Sequence, residues 1–389
     1  MRDEPVIYLD NNASTRLDSE VETAMREAAG LYGNPSSVHA EGRKARRAIE
    51  EARDEVARLL GASPEEIFFT SGGTEANAMA VFGAARMSGR AGRVVASGAE
   101  HPSVREAVDR LADEGIGTVR VNPDPSGVLD AGKVLEAVLP ETFLVTVMAA
   151  NNEYGGLFPI EALAPAVRER GALFHTDAVQ AAGRIPIGVR PWGVDLASIS
   201  AHKFHGPKGV GALYVRKGVR LPAHTPGGGQ EKKVRAGTEN TAGIAGFGVA
   251  ARLARERLGE AGGIARLRDR LEKEILSRVE GTSAVGNGGP RLPNTSALLF
   301  EGVSAEALII RLDLEGVAVS AGSACSSGTL APSPAILSLG LAPSEAKSVV
   351  RFSLSRLTTL DEVEAAVGIV SRVVAEVRTQ HRGLVSRKP

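Results

Sequence analysis

Lys203 stands between two histidines in the run Ser200-Ala201-His202-Lys203-Phe204-His205-Gly206-Pro207. Residues 194–199 read as a short buried strand that ends just before it, and Gly206-Pro207 breaks the chain just after. An amine lodged among apolar strands is costly to charge. Desolvation lowers its pKa and makes it a nucleophile toward a carbonyl carbon. A solvated surface lysine is the plainer alternative, and the groups around Lys203 decide between the two.

Four more polar groups follow strands in the same way. Ser71-Gly72-Gly73-Thr74-Glu75 comes after the apolar residues 67–70 and leads into a helix over 78–85, so its backbone N–H groups can meet a phosphate. The turn has neither the glycine spacing of a dinucleotide fingerprint nor the lysine of a P-loop, and by itself it is equally a plain tight turn. His101 follows strand 93–97, Asn152 follows strand 143–148 and Asp177 follows strand 172–175. One by one, His101 also reads as a turn residue and Asp177 as a helix cap. Their recurrence is the stronger signal. Strands that alternate with helices build a mostly parallel sheet with right-handed crossovers, and ligands gather beyond the carboxyl ends of its strands. Thr74, His101, Asn152, Asp177 and Lys203 therefore share one rim. They bring to it a phosphate turn, an imidazole, an amide, a carboxylate and an amine. The His, Cys and acidic residues are too scattered for a zinc pattern, so no metal is expected.

The elements that carry these groups fit ordinary bounds. A chain of 389 residues allows two or three domains, and 43% hydrophobic residues supply a large core. Lys plus Arg and Asp plus Glu both number 46, a balance that argues against a nucleic-acid surface. No apolar run reaches membrane-spanning length, and no signal segment precedes the strand-like residues 6–9. A cytoplasmic protein with neither nucleic acid nor membrane as partner is expected. Beyond a Gly-rich stretch at 226–240 and a helix over 241–258, shorter strands and helices suggest a smaller α/β domain. Cys325 is the one cysteine, so no intrachain disulfide is possible. A free cysteine is often a buried hydrophobe, but this one lies in Gly322-Ser323-Ala324-Cys325-Ser326-Ser327-Gly328-Thr329, the composition of an exposed loop. An exposed lone thiol is a liability unless it is used.

The lysine run, Asp177-Ala178-Val179-Gln180, Ser71-Gly72-Gly73-Thr74-Glu75 and the Cys325 segment together resemble the NifS/IscS-like cysteine desulfurases. These are class V members of the fold-type I pyridoxal-phosphate-dependent aminotransferase superfamily. The resemblance runs from Tyr8-Leu9-Asp10-Asn11-Asn12 to Arg351-Phe352-Ser353-Leu354. It implies an α/β fold: a large domain, residues 16–258, with a mostly parallel seven-stranded sheet between helices, and a small α/β domain of residues 1–15 plus 259–389. It implies pyridoxal 5′-phosphate held covalently by Lys203, with Asp177 on the pyridine nitrogen, Gln180 on the phenolic oxygen and His101 over the ring, active in proton transfer. Gly73, Thr74, Ser200 and His202 would hold the phosphate. Thr238 would reach the partner's phosphate across a homodimer. Asn152 would touch cofactor and substrate. Arg351 would clamp the substrate carboxylate, for which Arg356 is the competing candidate.

The activity so implied converts L-cysteine to L-alanine. Cys325 takes the sulfur as a persulfide and delivers it to an acceptor or iron–sulfur scaffold protein. The long Cys325 loop resembles that of the long-loop desulfurases. Gly73 replaces a common alanine and Ala201 a common glycine of the family, both still small. Another class V chemistry, such as an aminotransferase or selenocysteine lyase, and a non-catalytic relative that docks sulfur carriers are the alternatives.

Overall fold

The computed structural model describes residues 6–321 and 331–385, and among these the strands form three sheets. Ile7–Tyr8 (β1) comes first and leads to the helices Ser19–Ala29 (α1) and Ala40–Leu60 (α2). Asp18 caps α1, its carboxylate accepting from the backbone N–H of Glu20. In α2, Ala45, Ile49, Ala52 and Val56 are buried along one stripe, and Gly61 ends the helix in the left-handed region at φ 65°.

The large sheet is built from Ile67–Thr70 (β2), Arg93–Ser97 (β3), Gly117–Val121 (β4), Thr142–Thr146 (β5), Leu173–Asp177 (β6), Leu196–Ser200 (β7) and Gly211–Val215 (β8). Its order is β2-β8-β7-β6-β5-β3-β4. Neighbours from β7 to β4 run parallel, whereas β8 is antiparallel to both β7 and β2. Every residue of β7 and β8 is buried, as strands covered on both faces must be. The covering helices include α2, Gly73–Met87 (α3), Pro102–Asp113 (α4) and the helix Thr241–Glu256. The α3 helix begins five residues before the expected start, so Thr74 and Asn77 belong to its first turns. Helix Thr241–Glu256 lies so close to α2 that a Cβ on Gly248 would come within 2.5 Å of the Ala52 Cα. Phe247 extends from this helix into the core, edge-on to Phe69 with ring centres 6.1 Å apart.

The second region holds Thr282–Ala284 (β9), Thr295–Phe300 (β10), Val317–Ala318 (β11), Ser320–Ala321 (β12) and Val349–Ser353 (β13). Strands β12-β13-β10-β9 form an antiparallel sheet. The N-terminal β1 pairs in parallel with β11, and Asp10 bridges to Ser353. Leu9 is buried in the same apolar cluster as Phe300, Phe352 and Val363 of this second region. Among the described residues no helix is long and apolar enough to cross a membrane.

Candidate active site

Each strand-end group arrives at the rim for a local reason. Gly72 holds the N-cap position of α3 at φ 154° and brings no side chain to satisfy the first-turn amides, so these stay available to a ligand. His101 caps α4: the backbone N–H of Ser103 donates to its Nδ1 at 3.2 Å, and Pro102 opens the helix. Asp177 is the last residue of β6. One of its oxygens accepts from the backbone N–H of Val179 at 2.9 Å, and the other from Asn77 Nδ2 at 2.7 Å. The cap role of His101 thus coexists with a place on the rim. Lys203 closes a single 3-10 turn, Ala201–Lys203, that follows β7 directly.

Gly73, Thr74, His101, Asn152, Asp177, Gln180, Ser200, His202 and Lys203 all line one cavity of about 230 Å³. Lys203 Nζ donates to the backbone carbonyls of Asn12 at 2.7 Å and Ala13 at 2.9 Å. Burial, reinforced by the cations of Arg184 and Arg351 and opposed by Asp177 and Asp10, pushes the lysine down to about 7. Near neutral pH a substantial share of this amine is therefore unprotonated and nucleophilic, unlike a solvated lysine. Burial also lowers His101, and with the Lys203 charge it pushes His202 down to about 4. Arg351, on β13, crosses to this rim: it donates to the Asn152 carbonyl at 2.9 Å and pairs with Asp10 at 2.7 Å. Arg356 instead pairs with Asp18 and lines a neighbouring cavity.

Arg351 reaches the rim without lining this cavity, and one further expected residue lies away from it. Thr238 is exposed on the segment before helix Thr241–Glu256, where the implied cross-dimer role would put it into a partner's site rather than its own. Cys325 lies outside the described residues.

Sequence reasoning missed three side chains. Asn77 and Ser103 line the cavity. Arg184 is buried behind it with only carbonyl oxygens as acceptors: those of Asn11, Gln180 and Lys203, and the side-chain oxygen of Gln180. That contact engages Gln180 Oε1, while Gln180 Nε2 donates to the Asn12 carbonyl at 3.0 Å. For Asn77 a signal was available. It lies three residues after Thr74 on a helix, hence on the same face.

The donor set suits a phosphorylated pyridine aldehyde. Uncapped amides at Gly73 and Thr74, with Ser200 and His202 beside them, suit a phosphate. Asp177 is a buried carboxylate suited to a protonated ring nitrogen, and Lys203 is an amine near its neutral form. At Gly73 a Cβ would meet Val179 Cγ2 at 2.8 Å, so the side chains on this wall are packed up to the backbone.

Residues 7–366 match the family model described as aminotransferase class-V. A cysteine desulfurase of Enterobacter agglomerans is 42% identical over 375 residues, covering 96% of this chain and 94% of the relative. A solved NifS-like protein superposes with a TM-score of 0.88 at 35% identity, covering 95% of this chain and 99% of the other. The structure titled SspA in complex with cysteine matches with a TM-score of 0.79 at 33% identity, covering 90% of this chain and 99% of the other.

Proposed function

The chain belongs to the class-V aminotransferase family, among its cysteine desulfurases, and from that premise we propose that its rim cavity holds pyridoxal 5′-phosphate and takes the sulfur from L-cysteine. The observation that carries the reading is one cavity with a near-neutral buried amine, Lys203, a buried carboxylate, Asp177, and an uncapped helix start at Gly73. The cofactor supplies an electron sink for negative charge developing on the substrate carbon.

The chain's own residues do the rest. Lys203 provides the amine that attaches the cofactor and afterwards carries a proton. Asp177 keeps the ring nitrogen protonated, and Gln180 gives a hydrogen to the phenolic oxygen. Gly73, Thr74, Ser200 and His202 take the phosphate, joined across a homodimer by Thr238 of the second copy. Asn152 and Arg351 orient the substrate, the guanidinium gripping its carboxylate. His101 transfers a proton. The Cys325 thiol attacks the substrate sulfur. One C–S bond breaks, one S–S bond forms, and L-cysteine plus the enzyme thiol become L-alanine plus the enzyme persulfide. The outer sulfur then passes to an acceptor or iron–sulfur scaffold protein, in a cytoplasmic setting. In this reading residues 16–258 hold the cofactor, and residues 1–15 with 259–389 carry the substrate arginine and the thiol.

The test is the visible spectrum of the purified protein supplied with pyridoxal phosphate, together with alanine and sulfide release from L-cysteine. Wild type shows the bound-cofactor band and releases the products. Lys203→Ala loses the band, and Cys325→Ala keeps it but releases no sulfide. A colourless wild type overturns the cofactor reading, and full activity in Cys325→Ala overturns the thiol assignment.

A further inference from the structure

Asn77 and Ser103 have no part in the roles above, yet they join the two groups at opposite ends of the chemistry. Asn77, almost wholly buried on α3, donates from Nδ2 to Asp177 Oδ2 at 2.7 Å and to Ser103 Oγ at 2.8 Å. Ser103 Oγ lies 2.8 Å from His101 Nδ1. The direction of this chain is fixed by chemistry. A carboxylate only accepts, so the amide nitrogen, not the oxygen, faces Asp177. The second amide hydrogen goes to Ser103, whose hydroxyl, now accepting, gives its own hydrogen to His101. The backbone N–H of Ser103 donates to the same Nδ1 at 3.2 Å. With two donors on Nδ1, the imidazole hydrogen belongs on Nε2. The arrangement persists although it leaves Asn77 Oδ1 buried without a partner, a cost that a merely structural asparagine has no reason to bear.

We propose that Asn77 and Ser103 are positioning residues that lock His101 in its Nε2–H tautomer, so that the imidazole meets the substrate as a proton donor, in a state tied to the Asp177 carboxylate. This rests on the proposed function only for what His101 does, not for how it is held. A base role at Nδ1 is blocked by the two donors, and a proton there would face the Ser103 backbone N–H and require the Ser103 hydroxyl to turn its own hydrogen away. The charged groups acting on His101 agree on balance. Asp177 favours the imidazolium, while burial and the cations Lys203, Arg105 and Arg351 oppose it.

The experiment is nitrogen NMR of the full-length protein labelled at histidine, with and without pyridoxal phosphate, His101→Gln identifying the resonances. The expected result is an Nε2–H tautomer at neutral pH in wild type and in Ser103→Thr, which keeps a hydroxyl. In Ser103→Ala a donor to the neutral ring is gone, and the His101 titration midpoint rises by roughly 0.5 to 1 pH unit. Asn77→Leu frees the Ser103 hydroxyl to accept and shifts the tautomer ratio toward Nδ1–H. An Nδ1–H tautomer in wild type, or a Ser103→Ala protein with unchanged midpoint and tautomer, overturns the proposal. The reading needs no bound cofactor, so it stands apart from failure of the desulfurase assay. The serine pair decides even where Asn77→Leu does not fold.

Discussion

The depressed lysine has a measurable cost in the protein stripped of cofactor. Lys203 falls from 10.5 to about 7, mainly because it is buried and secondarily because Arg184 and Arg351 stand near it. Unfolding restores the ordinary value. Between the two values the unfolded chain binds the extra proton, so the penalty is full below about pH 7 and fades as pH rises toward the unfolded value. At ~1.4 kcal/mol per tenfold, the amine costs about 4 kcal/mol at about pH 7.5 and about 1.4 kcal/mol at about pH 9.5. Lys203→Met removes this titration. It also deletes the bonds to the Asn12 and Ala13 carbonyls, a loss that hardly varies with pH. The change with pH is therefore the quantity to read. Urea unfolding of stripped full-length wild type and Lys203→Met at the two pH values should show the variant's relative stability falling by roughly 2.5 kcal/mol from the lower to the higher. A pH-independent difference would mean that the amine is charged like any surface lysine, and the near-neutral nucleophile would be lost from the argument.

Two further perturbations probe the surroundings. Arg184→Met removes a buried cation that holds Lys203 down and engages the Gln180 carbonyl oxygen; the pH profile of pyridoxal-phosphate uptake, followed by absorbance, should move upward by roughly one unit, and an unmoved profile refutes the coupling. Far from the cavity, Arg53 makes a bidentate pair with Glu231 at 2.8 and 2.9 Å, both side chains being buried, and Glu231 also accepts from the Phe69 N–H. Glu231→Ala leaves the buried guanidinium with only Glu50 at 3.0 Å and the Ile67 carbonyl at 2.9 Å and should cost about 3 kcal/mol in chemical denaturation, whereas a loss under about 1 kcal/mol would mean that Glu50 or water compensates the charge.

Much of this architecture was legible because it is local. A buried strand, a polar residue at its end and a helix after it recur along the chain, and that rhythm is enough to put Thr74, His101, Asn152, Asp177 and Lys203 on one side of a parallel sheet. The rhythm fails at β8. Residues 201–210 are too few for a helical crossover, so Gly211–Val215 turns back antiparallel, an apolar run that alternation with helices does not anticipate. What holds the lysine was not legible either. Its amine bonds carbonyls 191 and 190 positions away, and Arg351 meets Asp10 across 341 positions. No periodicity records such contacts. Asn77 was missed differently: reading the helix only from 78 onward left it in the preceding turn, off the helix face that it shares with Thr74.

The distribution of unsatisfied polar atoms separates the two kinds of buried charge in this molecule. The Arg53–Glu231 pair is closed: its oxygens and guanidinium nitrogens meet each other and the edge strand. Around the cavity the pattern is the reverse. Asn77 Oδ1, Glu100 Oε2, Glu153 Oε2 and Arg351 Nε are buried without a partner, and Glu100, which precedes His101, is pushed up to about 8 by burial. Lys203 and Arg184 likewise face carbonyl oxygens rather than carboxylates. A chain selected for stability alone would pair these groups or replace them by apolar ones. Leaving these atoms without partners, while Arg351 keeps its pair with Asp10, holds a fixed field in place before anything binds. That field is positive around Lys203, Arg184 and Arg351 and negative at Asp177, the polarity that the phosphate, substrate carboxylate and protonated ring nitrogen of the proposed function would require. The stability forgone at this rim is thus the structural signature of preorganisation, and it falls where the strand ends converge.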